Sequence, residues 1–266
     1  MSKIEWTDET WNPIIGCSKI SEGCKECYAE KMANRLASMS STDYYQSVTL
    51  KHAHALPSGW NGRTSFIEHQ LEKPFKWKKP RMIFVCSMGD LFHESVPFEW
   101  IDKIIDVIRW NKQHTFQILT KRPERMKGYF TEHVPDKYYM ENGNYLDNLW
   151  LGVTSENQEQ ANKRIPILLL IPAVKRFVSC EPLLSEIDFH QKHNNYFQGV
   201  VTENNGEIEF YGAAIHWVIA GPETGHNARP MQKEWIKGLQ EQCKSAKVPF
   251  FDKKNTLGLN LTQIPE

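Results

Sequence analysis

Short apolar runs recur along this chain, and few of them alternate with polar residues. They are MIFVCS (82–87), FQILT (116–120), LWLGVT (149–154), RFVSC (176–180), HWVIAG (216–221) and VPFF (248–251). Continuous β-branched and aromatic runs of this length suit parallel strands buried on both faces. Between several of them the apolar spacing becomes helical. FEWIDKIIDVIRWN (98–111) places Trp100, Ile101, Ile104, Ile105 and Ile108 on one stripe. NQEQANKRIPILLL (157–170) and QKEWIKGLQEQCKSA (232–246) read alike, as does ECYAEKMANRLASM (26–39) nearer the start. The pattern is a β-α unit repeated about six times, with a short first strand before Cys17. It predicts a parallel sheet, either closed or partly closed as a barrel, or open and doubly wound.

Two segments break the pattern. Residues 40–80 are polar and aromatic, with PSGWNGR inside, and 188–214 read as a β-hairpin insertion turning at Asn204, Asn205 and Gly206. Both are expected as insertions in a single domain spanning 1–266, a length that suits one large domain or a barrel. Lys plus Arg equals Asp plus Glu, so net charge gives no reason to expect a protein that coats a polyanion. The 12 % aromatic content is first of all that of a well-filled core. MSKIEWTDETW has neither a basic nor an apolar signal region, and IPILLLIPAV (165–174) is too short for a membrane span. A cytoplasmic, soluble protein without membrane contact is expected. Its six cysteines are too few for a disulfide framework at this length.

Polar groups follow the apolar runs almost at once. Gly89, Asp90, His93 and Glu94 follow the first, Lys121, Arg122 and Arg125 the second, and Thr154, Ser155, Glu156 and Asn157 the third. Glu181 follows the fourth, Glu223, His226 and Arg229 the fifth, and Asp252, Lys253 and Lys254 the last. Loops are polar in any case. In parallel α/β folds, however, sites gather at the carboxyl ends of strands, and six consecutive exits of this kind predict a site there.

Cys17, Cys24 and Cys27 form C-x6-C-x2-C within eleven residues. In a reducing compartment so tight a cluster predicts a metal site. Structural zinc needs four ligands, so a fourth would have to come from a distant Cys or His. An iron–sulfur cubane held by three thiolates leaves one iron open to a small molecule, which suits a catalyst. Gly16 and Gly23 precede two of the thiols and would let the backbone approach sulfide closely. Cys24 and Cys27 fall where a helix would start, whose positive end favours a thiolate. Cys86, Cys180 and Cys243 read as ordinary buried thiols.

TWNPIIGCSKISEGCKECYAE, SMGDLF, ILTKRP, GVTSEN, SCEPLL, IAGPETGHNARPM and VPFFDKK occur in this order from Trp11 to Lys254. Together they resemble a phage- and bacteria-borne three-cysteine-motif family of unknown function. That family is similar to a divergent branch of the radical S-adenosylmethionine enzymes, whose usual spacing is C-x3-C-x2-C. The resemblance implies a partial (β/α)6-type TIM-like barrel. It implies a 4Fe–4S cluster on Cys17, Cys24 and Cys27, and S-adenosyl-L-methionine as the second cofactor, cleaved to a 5′-deoxyadenosyl radical. It places cofactor contacts at Gly89, Asp90, Thr154, Ser155, Glu156 and Gly221, although Met88 and the shorter Asp90 depart from the Gly-Gly-Glu element found there. It also implies a reductant such as flavodoxin or ferredoxin and a protein partner encoded nearby.

Lys121, Arg122, Glu181, Glu223, Arg229 and Lys253 are the candidate substrate contacts. With Trp60, Phe92 and Tyr28 available to stack, a nucleotide or nucleic-acid-related substrate is the class they suit. The alternative reading is a zinc-binding nucleic-acid-processing or nucleic-acid-binding protein without radical chemistry.

Overall fold

The computed structural model describes residues 4–39, 43–50, 59–133, 146–191, 194–198, 200–204, 207–211 and 214–265. Its centre is a sheet of seven parallel strands: β1 (Glu9–Trp11), β2 (Met82–Val85), β3 (Thr115–Thr120), β4 (Leu149–Thr154), β5 (Lys175–Cys180), β6 (Trp217–Ala220) and β7 (Phe250–Asp252). Strand order follows chain order, as right-handed crossovers in one direction produce, and the sheet curls into a half-barrel. The expected partial TIM-like barrel is what the chain forms, with seven strands.

The helices are α1 (Tyr28–Ala37), α2 (Asp43–Val48), α3 (Phe98–Trp110), α4 (Pro123–Gly128), α5 (Gln158–Leu169) and α6 (Lys233–Ala246). The stripe read on α3 is buried, with Ile101, Ile104, Ile105 and Ile108 inaccessible to solvent. These residues join Ile83, Val85, Phe116, Ile118, Leu151 and Val178 from one face of the sheet in the main core. Alternate residues on the same strands face the concave side, where Trp6, Phe84, Trp150, Phe177, Trp217, Ile219 and Phe251 form a second cluster. Strands buried on both faces explain the unalternating apolar runs. Gly152 makes room inside: a Cβ there would lie 2.6 Å from the Phe177 ring.

The 188–214 segment contains the expected antiparallel hairpin, Val200–Asn204 with Glu207–Tyr211. The predicted turn residues Asn205 and Gly206 lie outside the described residues, as do residues 51–58 of the earlier insertion. No helix among the described residues is long and apolar enough to cross a membrane.

Candidate functional site at the carboxyl mouth of the half-barrel

The three-cysteine loop is seated on residues from several strand exits. Gly16 N–H donates to Met88 O at 3.0 Å, and Gly16 bridges to Gly89 just beyond β2. The backbone at Gly16 has φ of +93°, and a Cβ there would meet Arg63 O at 2.3 Å, so only glycine fits. Gly23 N–H donates to Glu156 Oε1 at 3.3 Å, and a Cβ on Gly23 would lie 2.9 Å from that carboxyl carbon. Both N–H groups expected to approach sulfide therefore seat the loop on the protein instead. Cys24 closes a 3-10 turn (Glu22–Cys24), and Cys27 is the N-cap of α1, as a thiol at a helix start requires.

Arg122 and Arg229 clamp the same loop. Arg122 is buried at the exit of β3. Its Nη2 donates to Ser18 Oγ at 2.8 Å and its Nη1 to Asp90 Oδ2 at 3.0 Å. The same Nη1 lies 3.7 Å from Cys17 Sγ, while Nε donates to Glu94. Arg229 Nη2 donates to Glu22 O at 2.8 Å and pairs with Glu223 Oε1 at 2.6 Å. Glu156, wholly buried, pairs with Arg164 at 2.8 Å. Burial raises the Glu156 pKa, but Arg164 and then Lys121 outweigh it and hold the carboxyl below its ordinary range.

All three thiols line one cavity of about 210 Å³. Gly89, Thr120, Lys121, Arg122, Thr154, Ser179, Glu181, Glu223 and Lys253 reach the same cavity from the strand exits. Trp6, Trp60, Phe84, Leu119 and Tyr28 supply apolar walls. At the exit of β5, Glu181 Oε2 accepts from Trp6 Nε1 and from Ser179 Oγ, both at 3.1 Å. Glu181 Oε1 lies 2.6 Å from Lys253 Nζ, close enough for a strong ion pair though without a well-directed hydrogen bond.

The thiols differ electrostatically. Burial pushes Cys17 up to about 12, with Asp90 adding to the effect and Arg122 opposing it. For Cys24 burial also raises the pKa, but Lys121 and hydrogen bonds at Ile20 and Ser21 outweigh it and lower the thiol below its ordinary value. Cys86, whose backbone has φ of +61°, also lines the cavity and is pushed up to about 12, first by burial. Among the described residues, no three His, Cys, Asp or Glu side chains are gathered as ligands of a single ion.

The remaining predicted residues separate. Asp90 turns away from the cavity, accepting from Thr120 Oγ1 at 2.7 Å and from Arg122. Ser155 is buried, its N–H donating to Ser179 O and its Oγ without a hydrogen-bond partner among the described residues. Gly221 packs against Lys253, whose Cβ would be 2.8 Å from an added methyl. Phe92, expected to stack, is fully buried in the main core, whereas Trp60 and Tyr28 do line the cavity. Cys180 and Cys243 are buried core thiols, as expected. Trp6 and Phe84 escaped the sequence reading, because isolated aromatics near strands read as core.

No curated protein and no solved structure matches this chain. A family model described as a protein of unknown function, DUF5131, matches residues 1–258, and the chain belongs to that family.

Proposed function

We propose that this protein is an iron–sulfur enzyme that uses S-adenosylmethionine to abstract hydrogen from a substrate held in the half-barrel mouth. One observation carries the reading: three thiols of a single loop line the one cavity into which the strand exits also converge. Cys17, Cys24 and Cys27 would hold a 4Fe–4S cluster, each thiolate on a different iron, so the reading does not require them to converge on one ion. When bound, the two cofactors supply a one-electron reductive cleavage that starts hydrogen-atom abstraction.

The chain's own groups do the rest. Arg122 and Arg229 fix the loop that presents the thiols, and Glu156 anchors its Gly23 turn. Gly89, whose added Cβ would lie 2.9 Å from Gly16 O, allows the loop to approach β2 closely. Trp6, Phe84, Leu119 and Trp60 form walls that exclude water and stray hydrogen donors from the reacting space. Glu181 and Lys253 present a fixed charge pair to the same cavity.

The test is turnover. Anaerobically purified, reconstituted protein given S-adenosylmethionine and dithionite should release 5′-deoxyadenosine. Cys24→Ala should release none. Reconstituted protein that takes up iron yet yields no 5′-deoxyadenosine would overturn the reading.

A further inference from the structure

Six charged side chains line the cavity: Glu26, Lys121, Arg122, Glu181, Glu223 and Lys253. Five are neutralised within the protein. Glu26 pairs with Lys31, Arg122 with Asp90 and Glu94, Glu181 with Lys253, and Glu223 with Arg229. The Lys121 ammonium has neither an ion pair nor a hydrogen bond among the described residues.

The buried hydroxyls divide in the same way. Thr120 Oγ1 donates to Asp90, and Ser179 Oγ donates to Glu181. Thr154 is 2 % exposed and lines the cavity, yet its hydroxyl makes no hydrogen bond among the described residues. Thr120 pairs with Val153 in the parallel register, so the next residues on β3 and β4, Lys121 and Thr154, leave the sheet side by side. Residues Leu119 and Gly152, one register pair earlier, face the concave side, and alternation turns Lys121 and Thr154 the same way.

A cation outside ion-pair distance of any carboxylate among the described residues, its charge felt by Cys24 and Glu156, and beside it a buried hydroxyl without a hydrogen bond there, are complementary to one acidic group. We propose that Lys121 and Thr154 form the anion subsite of this cavity, taking a single carboxylate or phosphate of the bound ligand. The inference rests on the cavity being the reacting site of the proposed enzyme, and it adds that whatever fills the cavity must bring one acidic group. That group is either the carboxylate of S-adenosylmethionine or an acidic group of the substrate.

The experiment is equilibrium binding to the full chain, purified anaerobically and followed by the fluorescence of Trp6 and Trp60, which line the cavity. Two probe pairs are compared: S-adenosylmethionine against its decarboxylated analogue, and adenosine 5′-monophosphate against adenosine. The wild type should bind the acidic member of one pair about 10- to 100-fold more tightly. A preference within the first pair assigns the subsite to the cofactor carboxylate, and within the second to a substrate phosphate. Lys121→Met should abolish the preference, Thr154→Val should weaken it, and Lys121→Arg should keep most of it. A wild type without any acidic preference, or a preference that survives Lys121→Met, overturns the proposal. The measurement involves no turnover, so an acidic preference in a protein that forms no 5′-deoxyadenosine would sink the enzymatic reading and leave the subsite standing.

Discussion

Replacing Glu156 with Gln isolates the charge that anchors the cysteine loop. The amide has the shape of the carboxyl but a single acceptor oxygen, so it serves either Gly23 N–H, held by Oε1 in the wild type, or Arg164, held by Oε2, and sets its NH2 against the other donor, while Arg164 stands as an uncompensated cation. Arg164 is 2 % exposed, and apart from Glu156 its Nη1 has the Thr154 carbonyl at 2.7 Å. Breaking a buried pair by removing one charge costs about 3–5 kcal/mol, and the amide leaves one of the two donors without its acceptor, so the full range applies here. That is a large part of the roughly 5–15 kcal/mol that stabilises a typical domain. The double variant Glu156→Gln, Arg164→Met buries no charge and should recover much of the loss, giving a coupling energy of about 1–3 kcal/mol.

The assay is urea unfolding of the four proteins at pH 7. The pH dependence supplies a second check. Because the folded carboxyl titrates below its ordinary 4.5, its contribution is complete above that pH and is lost as pH falls through the folded value. The gap between wild type and Glu156→Gln should therefore close below pH 4.5. Hydrogen exchange at the Gly23 amide should also accelerate in the variant. A Glu156→Gln protein within about 0.5 kcal/mol of wild type at pH 7, or a gap that widens on acidification, would refute the anchoring role.

Three other outcomes follow from the same geometry. Gly16→Ala forces a residue with φ of +93° against Arg63 O and should lower Tm by several degrees, about 1–3 kcal/mol, in a thermal melt. Gly152→Ala overpacks the concave cluster against the Phe177 ring and should cost about 1–3 kcal/mol in the urea midpoint, with loss of near-ultraviolet aromatic ellipticity. Burial, followed by Arg176 and Lys175, depresses His216 from 6.5 to about 4, so the unfolded chain binds the extra proton between these values. Stability should rise with pH across that window, and His216→Gln should flatten the slope.

Much of the architecture was legible because parallel strands buried on both faces leave a continuous apolar signature. LWLGVT coincides with β4 (Leu149–Thr154), and the helix read at 98–111 is α3 to within a residue. MIFVCS overshoots β2 because Cys86 adopts a left-handed conformation and ends the strand at Val85. The α4 helix (Pro123–Gly128) is too short for its periodicity to register. The ring of strand exits was also legible, since the barrel topology carries those residues to one mouth.

What the sequence could not disclose is which exit charges are already spent. Arg122 and Lys253 read as free cations, but Asp90 and Glu181, brought from other exits, neutralise them, and Arg229 pairs with Glu223 of its own exit, while Lys121 beside Arg122 has no ion pair among the described residues. That distinction depends on long-range partners such as Asp90 and Glu181, which proximity in the chain does not reveal. The seating of Gly23 on Glu156 was hidden for the same reason.

In the proposed function the three loop thiols share one cluster. Metal and sulfide analysis of the anaerobically purified protein decides this, with Cys17→Ala, Cys24→Ala and Cys27→Ala alongside. The prediction is about four iron and four sulfide per chain in the wild type, and loss of both in each variant. Stoichiometric zinc without iron, or iron retained when a thiol is removed, would contradict it.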